Sequence, residues 1–191
     1  YNMSDNKTVT TSYYDGKWWD TGNSQFVQSS LSNEASVLQT GPNPSQIPPL
    51  ANSSPEQRLQ NVFNSTIKID DQTDISAERA AGWVDLSDDK WGVMVGFKSF
   101  FEEYPKEIKV EEAQEDITAY IWTPSVEPQS FARKDLDNDS GMIANFAQGL
   151  AKTTEMVFYF HKKSTSADVE KTAKMFLDGS VTHADPDWYA K

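Results

Sequence analysis

Residues 79–110 read RAAGWVDLSDDKWGVMVGFKSFFEEYPKEIKV, and apolar side chains recur at every second position on both sides of a polar turn. In the second arm Val93 and Val95 fall on one face and Met94 falls on the other. Ser and Asp in the turn at 87–90 can accept hydrogen bonds from nearby backbone N–H groups, which favours a short reversal of the chain. The stretch therefore predicts a β-hairpin.

An aromatic cluster follows the hairpin. Phe100, Phe101 and Tyr104 precede Pro105, which cannot continue a helix and pushes the residue before it toward an extended conformation. We expect these rings to pack together where the second arm ends. We interpret the carboxylates of this stretch as turn or solvated groups, with Asp85, Asp88 and Asp89 in the turn and Glu102 and Glu103 in solvent.

Two further strand pairs are predicted on either side of this stretch. Residues 107–110 begin a strand, 111–116 form an acidic turn, and 117–122 return with Ile117, Ala119 and Ile121 toward the core. Upstream, Asp15-Gly16 lies between alternating arms and predicts another hairpin. Residues 25–37 are compatible with one or two strands, and residues 59–69 predict one more. Five prolines make residues 40–55 an extended surface loop.

The C-terminal part predicts one strand and one helix. Residues 152–161 alternate, with Met156, Phe158 and Phe160 on one face and Glu155, Val157, Tyr159 and His161 on the other. Residues 164–177 have an apolar stripe at helical spacing, with Ser166 as the expected N-cap. Together the patterns predict an all-β fold, an antiparallel β-sandwich with one short helix near the C-terminus, in a single domain over residues 1–191.

Three short runs resemble, in the same order, runs of the rhamnogalacturonan exolyases and their YetA-like relatives, a polysaccharide lyase family. The first combines Gly82-Trp83, Gly92-Val93 and Tyr104-Pro105-Lys106. Residues 149–153, GLAKT, are similar to the family's G-x-A-K-T-H run, although Thr154 stands where the family has His. Residues 185–188, DPDW, are similar to a P-x-W run that precedes a helical domain. The resemblance covers the last 115 residues, roughly.

The resemblance implies that the chain is the central β-sandwich portion, a fragment or module, of a larger multidomain enzyme. It implies a secreted or extracellular protein, periplasmic in a bacterium, that cleaves a uronate polysaccharide by β-elimination without a cofactor. The expected partners are the polysaccharide and the neighbouring domains. We expect the chain alone to be inactive, because such sites usually lie in clefts between modules. The alternative is a non-catalytic carbohydrate-binding or structural β-sandwich.

The candidate catalytic residues are Lys152, Tyr159 and His161. An elimination needs a base, an acid and a group that neutralises the uronate charge. Tyr159 and His161 are two residues apart and share a strand face, while Lys152 matches a residue of the family run. Each has a simpler reading, as a surface residue or as half of a structural ion pair. Trp18 and Trp19 are candidates for stacking on a sugar ring, or simply cover the sheet.

Composition excludes several other classes. The net charge of −12, with 29 acidic against 17 basic residues, argues against nucleic acid. A uronate substrate therefore requires a local basic patch on an acidic surface. No run of about 18 apolar residues is present to span a membrane, and the absence of cysteine excludes disulfides and thiolate metal sites.

Asp135, Asp137 and Asp139 alternate as in a calcium loop, but Phe146 stands where a bidentate Glu is needed, so we expect no metal. A glycosidase would need two carboxylates at a defined separation, which 29 acids cannot identify.

Overall fold

The computed structural model describes residues 3–4, 6–17, 23–41, 63–126 and 151–177. Within these ranges ten strands form two five-stranded antiparallel sheets, and one helix follows the last strand, so the predicted fold class is confirmed. The strands are β1 Lys7–Tyr14, β2 Ser24–Leu31, β3 Glu34–Thr40, β4 Asn64–Ile69, β5 Thr73–Ala77, β6 Arg79–Ser87, β7 Trp91–Phe97, β8 Lys106–Glu111, β9 Asp116–Tyr120 and β10 Met156–Lys162, and the helix is α1 Ser166–Leu177.

The two sheets pack face to face. The first sheet has the strand order β10-β7-β6-β1-β2, and the second has the order β5-β4-β3-β8-β9. Alternate side chains of both sheets meet between them and form the main core, as expected for a sandwich. This core consists of Val9, Val27, Leu31, Ala35, Val37, Ile67, Ile69, Ala80, Val84, Leu86, Phe97, Phe100, Ile108 and Val110.

The predicted hairpin is formed by β6 and β7, which lie near the middle of the first sheet. Val84 pairs with Val95 and Leu86 with Val93 across the two strands. The Asp88 carboxylate closes the turn, because Oδ1 accepts hydrogen bonds from the backbone N–H groups of Lys90 and Trp91 at 2.6 and 2.9 Å. The predicted use of a turn carboxylate is confirmed at this residue.

A second carboxylate holds the corner where the chain leaves one sheet for the other. Only residues 32–33 separate β2 in the first sheet from β3 in the second. The backbone N–H groups of Ser32, Asn33 and Glu34 donate to the Asp70 carboxylate at 2.8, 2.8 and 2.9 Å. Asp70 thus supplies acceptors that a sharp corner would otherwise lack.

Several sequence expectations differ from the structure in detail. The Asp15-Gly16 pair does begin a hairpin connection, but β1 and β2 are joined by residues 15–23 and not by a two-residue turn. Strand β5 was not anticipated, since its short polar sequence, TDISA, carries little pattern. The prediction that Ile121 faces the core was wrong: β9 ends at Tyr120, and the Ile121 side chain is 52% exposed.

Helix α1 covers the outer face of the first sheet and creates a second, smaller core. Val169 and Ala173 pack there against Trp83 and Met94, which point away from the main core. Trp83 is fully buried, and its indole N–H donates to the Ser12 hydroxyl at 3.0 Å. Burial of Trp83 therefore joins the helix to the sheet.

The predicted helix cap is displaced by one residue. The Thr165 hydroxyl, and not Ser166, accepts from the Asp168 backbone N–H at 3.3 Å and donates to the Asp168 carboxylate at 2.6 Å. The Thr165 hydroxyl thus satisfies one N–H group of the first turn, as an N-cap side chain does. Several expectations lie outside the described residues, namely Trp18, Trp19, the loop beyond Gly41, the Asp135–Asp139 segment and the DPDW run.

Candidate functional site

The three predicted catalytic residues lie on β10 or just before it, at the edge of the first sheet. Strand β10 pairs with β7, with Met156 opposite Phe97 and His161 opposite Gly92. Met156 and His161 are thus about 17 Å apart, at about 3.3 Å per residue. Lys152 lies before Met156, next to residues that follow Phe97. The structure brings Tyr159 and His161 together, but places Lys152 at the opposite end of the strand.

Lys152 belongs to a charged cluster around Glu103. The Lys152 ammonium lies 3.5 Å from the Glu103 carboxylate and 3.4 Å from its backbone carbonyl oxygen. Lys106 binds the same carboxylate from the protein interior. The Lys106 side chain is fully buried with its amine 4.8 Å from the centre of the Phe97 ring, whereas the Lys152 side chain is 48% exposed. One carboxylate therefore holds one buried and one accessible lysine.

Burial and charge oppose each other in this cluster. Loss of solvent lowers the pKa of Lys106, and its hydrogen bond to Glu103 offsets only part of that effect. Burial alone would raise the pKa of Glu103, but Lys106 and then Lys152 outweigh it, so the pKa of this carboxyl is lowered. Glu103 is thus a stable anion that positions two cations, and the expectation that it is simply solvated was wrong.

At the other end of β10, His161 forms a buried pair with Asp85. The His161 Nε2 and Asp85 Oδ1 atoms are 2.8 Å apart, and the two side chains are only 4% and 3% exposed. Burial raises the pKa of Asp85, and the hydrogen bonds from His161 and Ser87 moderate that rise. Asp85 is therefore a buried strand residue, and the interpretation of it as a turn residue was wrong.

Both ring nitrogens of His161 are engaged. Nδ1 lies 2.8 Å from the backbone carbonyl oxygen of Lys162, which can only accept, so Nδ1 carries a proton. The bond to Asp85 then needs a second proton, held either by Nε2 or by the carboxyl group. In this geometry neither nitrogen is free to remove a proton from a substrate.

Two neighbouring residues, Gly92 and Tyr159, pack directly against the His161 ring. The ring lies against Gly92, where an added Cβ would come within 2.6 Å of His161 Cε1, so the glycine is needed for close approach. The Tyr159 ring stacks on the imidazole at a centroid distance of 5.3 Å and an interplanar angle of 23°. Tyr159 is 36% exposed, so it is the accessible member of this group.

The apolar face of β10 is largely uncovered. Met156 packs against the main core, but Phe158 and Phe160 are 59% and 69% exposed. The second sheet packs mainly on β6, and β10 lies two strands further out, so its side chains project beyond that cover. The alternation predicted for this strand is present, but the buried His161 lies on the face that the sequence alone would assign to solvent.

Sequence reasoning missed Asp85, Glu103 and Lys106 as parts of these two groups. Asp85 carried one usable signal, because it alternates with Val84 and Leu86 on a strand and therefore shares the face of Trp83. Glu103 and Lys106 are only three residues apart, but nothing in the local pattern shows that Lys106 is buried or that Lys152, distant in sequence, joins Glu103. In the described ranges no group of three or more His, Asp or Glu side chains is arranged to hold a metal ion. The same part of the chain has no helix long and apolar enough to cross a membrane.

Comparison with known proteins identifies a family. A family model described as "PcRGLX-like protein central beta sandwich domain" matches residues 72–175, more than half of the chain. The match includes the hairpin, both charged groups and most of α1. It confirms the resemblance to the central sandwich of the rhamnogalacturonan lyase-like family. A search of curated proteins and a search of solved structures each found no match.

Proposed function

The chain belongs to the family of PcRGLX-like central β-sandwich domains, and on that basis we propose that it is the sandwich module of a secreted polysaccharide lyase. In this proposal the full-length protein cleaves a rhamnogalacturonan-type uronate polymer by β-elimination. The module supplies a rigid wall and a cationic group to a cleft that neighbouring domains complete. The description of the domain as central supports the presence of such neighbours.

The observation that carries the proposal is the accessible ammonium of Lys152. In β-elimination a base takes the proton from the carbon beside the uronate carboxylate, a C=C bond forms, and the glycosidic oxygen leaves. Negative charge builds up on the carboxylate during this step, so a fixed cation there stabilises the transition state. Lys152 is exposed, and Glu103 restrains it. We assign it this neutralising role, with the base supplied from outside the described residues.

His161 has a supporting role in this proposal. Hydrogen bonds to Asp85 and to the Lys162 carbonyl oxygen fix the imidazole, and the Tyr159 ring stacks on it. The fixed imidazole therefore orients the Tyr159 ring. Tyr159 is the more accessible of the two, but it lies at the opposite end of β10 from Lys152 and is too far away to act on the same sugar, so the proposal gives it no part in the elimination at Lys152. In this proposal the protein acts on its polymer outside the cytoplasm, in the extracellular space or a periplasm.

The test compares the 191-residue chain with the longer parent protein on rhamnogalacturonan. The ultraviolet absorbance of the unsaturated product reports each elimination. We expect product from the parent alone, and a loss of about 100-fold or more in kcat for Lys152→Ala, as for removal of other groups that stabilise transition-state charge. Lys171→Ala, in the helix, is the matched control. Activity of the isolated chain, or full activity of the Lys152→Ala parent, would contradict the proposal.

A non-catalytic carbohydrate-binding module is the second candidate, and the exposed rings of Phe158 and Phe160 favour it. Aromatic rings on a sheet face suit the apolar side of a sugar ring. This candidate predicts that the chain binds a glycan and that the parent protein forms no unsaturated product from rhamnogalacturonan.

A further inference from the structure

We propose that Lys106 sets the affinity of Lys152 for a carboxylate, acting through Glu103, which the two lysines share. Lys106 is then a positioning residue for the proposed elimination. It cannot touch a substrate, because its side chain is fully buried. We call Lys106, Glu103 and Lys152 the Glu103 cluster. The identity of the anion rests on the proposed function, but the role of Lys106 rests on the contacts below.

The Glu103 cluster joins two distant parts of the chain through one carboxylate oxygen. Glu103 Oε2 accepts a hydrogen bond from the Lys106 ammonium, and the Lys152 ammonium lies 3.5 Å from the same atom. The Lys106 side chain is fully buried, the Glu103 side chain is 27% exposed, and the Lys152 side chain is 48% exposed. The three charges therefore lead from the core to the solvent, with Lys152 at the accessible end.

One carboxylate cannot neutralise two ammonium groups, so the Glu103 cluster has a surplus of positive charge. Burial lowers the pKa of Lys106, but the hydrogen bond and the charge of Glu103 oppose this effect, so Lys106 remains an ammonium at neutral pH. Burial alone would raise the pKa of Glu103, and Lys106 is the main influence that lowers it instead. Without the charge of Lys106, Glu103 and Lys152 would form a neutral pair with little attraction for an anion.

The carboxylates around the Glu103 cluster do not cancel this surplus. Glu102 also acts on the buried lysine, but it has a cation of its own, because Arg79 lies 3.5 Å away. Glu155 is paired with Lys98 at 3.0 Å. Glu107 projects to the opposite side of β8, where its carboxylate accepts hydrogen bonds from two hydroxyl groups. The surplus charge is therefore available at the accessible end of the cluster.

Packing does not require a charge at position 106. Lys106 shares the core face of β8 with Ile108 and Val110, and its amine is 4.8 Å from the centre of the Phe97 ring. An apolar side chain of similar length suits such a position, and replacement of a buried ion pair by apolar groups is often neutral or stabilising. A lysine at this position therefore favours a role for the charge itself.

The experiment measures trigalacturonate binding to the 191-residue chain, with isotope-labelled lysine side chains as the reporter. We expect the Lys152 Cε signal to shift during the titration, and the affinity to fall as salt rises. Lys106→Met removes the buried charge and keeps a similar volume. It should weaken binding about 2- to 5-fold, the effect of one exposed charge pair, and reduce the salt dependence.

A double variant separates the charge of Lys106 from its packing. Lys106→Met/Glu103→Gln has neither the buried cation nor the carboxylate, so Lys152 again carries an unopposed charge. Its affinity should return to within about twofold of that of the unaltered chain. A packing role for Lys106 predicts no such recovery. Lys109→Met is the matched control, because it removes an equal charge from the outer face of the same strand and should leave the affinity unchanged.

Two measurements check the Lys106→Met chain itself. It should fold, because Glu103 keeps Lys152 as its partner and no buried charge is left alone, and circular dichroism tests this. The pKa of the Glu103 carboxyl should rise, because the main influence that lowers it has been removed. Carboxyl chemical shifts measure that pKa. A variant that does not fold, or an unchanged pKa of Glu103, would overturn the inference.

The binding outcomes separate this inference from the proposed function. No shift of the Lys152 signal, equal affinity of the unaltered and Lys106→Met chains, or no recovery in the double variant would each overturn the role of Lys106. If elimination by the longer parent protein requires Lys152 but Lys106→Met binds normally, the proposed function stands and this inference fails. If the parent forms no unsaturated product but the chain shows the expected binding pattern, the proposed function fails and the role of Lys106 stands.

Discussion

Replacement of His161 by Ala tests whether the Asp85–His161 pair is structural. The two side chains are 3% and 4% exposed and joined at 2.8 Å, so the variant leaves a buried carboxylate without its partner. Removal of one member of a buried pair typically costs about 3–5 kcal/mol, and we expect a loss of that size in the free energy of unfolding at pH 7. Urea titration, followed by circular dichroism, measures it.

The loss should depend on pH with a definite sign. Burial already raises the pKa of Asp85 above its ordinary value of 3.8, and without His161 the pKa should rise further. The folded variant then holds a proton that the unfolded chain has released, so the contribution of Asp85 to stability is most favourable below about pH 4 and falls by about 1.4 kcal/mol per pH unit above it. We therefore expect the difference between parent and variant to grow between about pH 4 and 6.

Two further variants serve as controls. His161→Gln keeps an N–H donor for Asp85 and should lose less stability than His161→Ala. The double variant Asp85→Asn/His161→Gln has no carboxylate at this position, so it should show no added slope with pH relative to the parent. A loss below about 1 kcal/mol for His161→Ala at pH 7, or an equal loss at pH 4 and 6, would refute the reasoning.

Three other predictions concern stability. Trp83→Ala should cost about 3–5 kcal/mol in urea titration, because the fully buried indole joins α1 to the sheet; a loss below about 1 kcal/mol would contradict this packing. Thr165→Ala should cost about 1 kcal/mol as a lost helix cap, while Ser166→Ala should change stability by less than about 0.5 kcal/mol. Burial alone would raise the pKa of Asp88, but hydrogen bonds from the backbone N–H groups of Ser4, Trp91 and Lys90 outweigh burial and lower the pKa to about 2. Ionised Asp88 therefore stabilises the fold above pH 3.8, and this stabilisation is lost as the pH falls through 2. The pH-dependent part of the cost of Asp88→Ala should therefore be about 2 kcal/mol at pH 7 and should vanish near pH 1, and an equal cost at both pH values would contradict the assignment.

The sequence by itself determined the elements whose pattern is local. Alternation at period two identified the hairpin of β6 and β7, the β8–β9 pair and the existence of β10, because successive side chains of a strand must point to opposite faces. The aromatic run before Pro105 was recognisable from its composition, but its rings divide: Phe101 and Tyr104 pack on Phe63, whereas Phe100 packs on Phe97. Short motifs in the right order identified the family, and the matching family model confirmed it.

Only the tertiary structure decided which face of each strand is covered and which distant residues meet. Period two separates two faces but does not say which one a helix or a second sheet will cover. On β10 the His161 side chain, on the ionisable face, is buried against Asp85 and Gly92, whereas Phe160, on the apolar face, is mostly exposed. The pairing of Asp85 with His161, and of Glu103 with Lys152, joins residues 76 and 49 positions apart. Such contacts depend on strand order, which local sequence patterns do not encode.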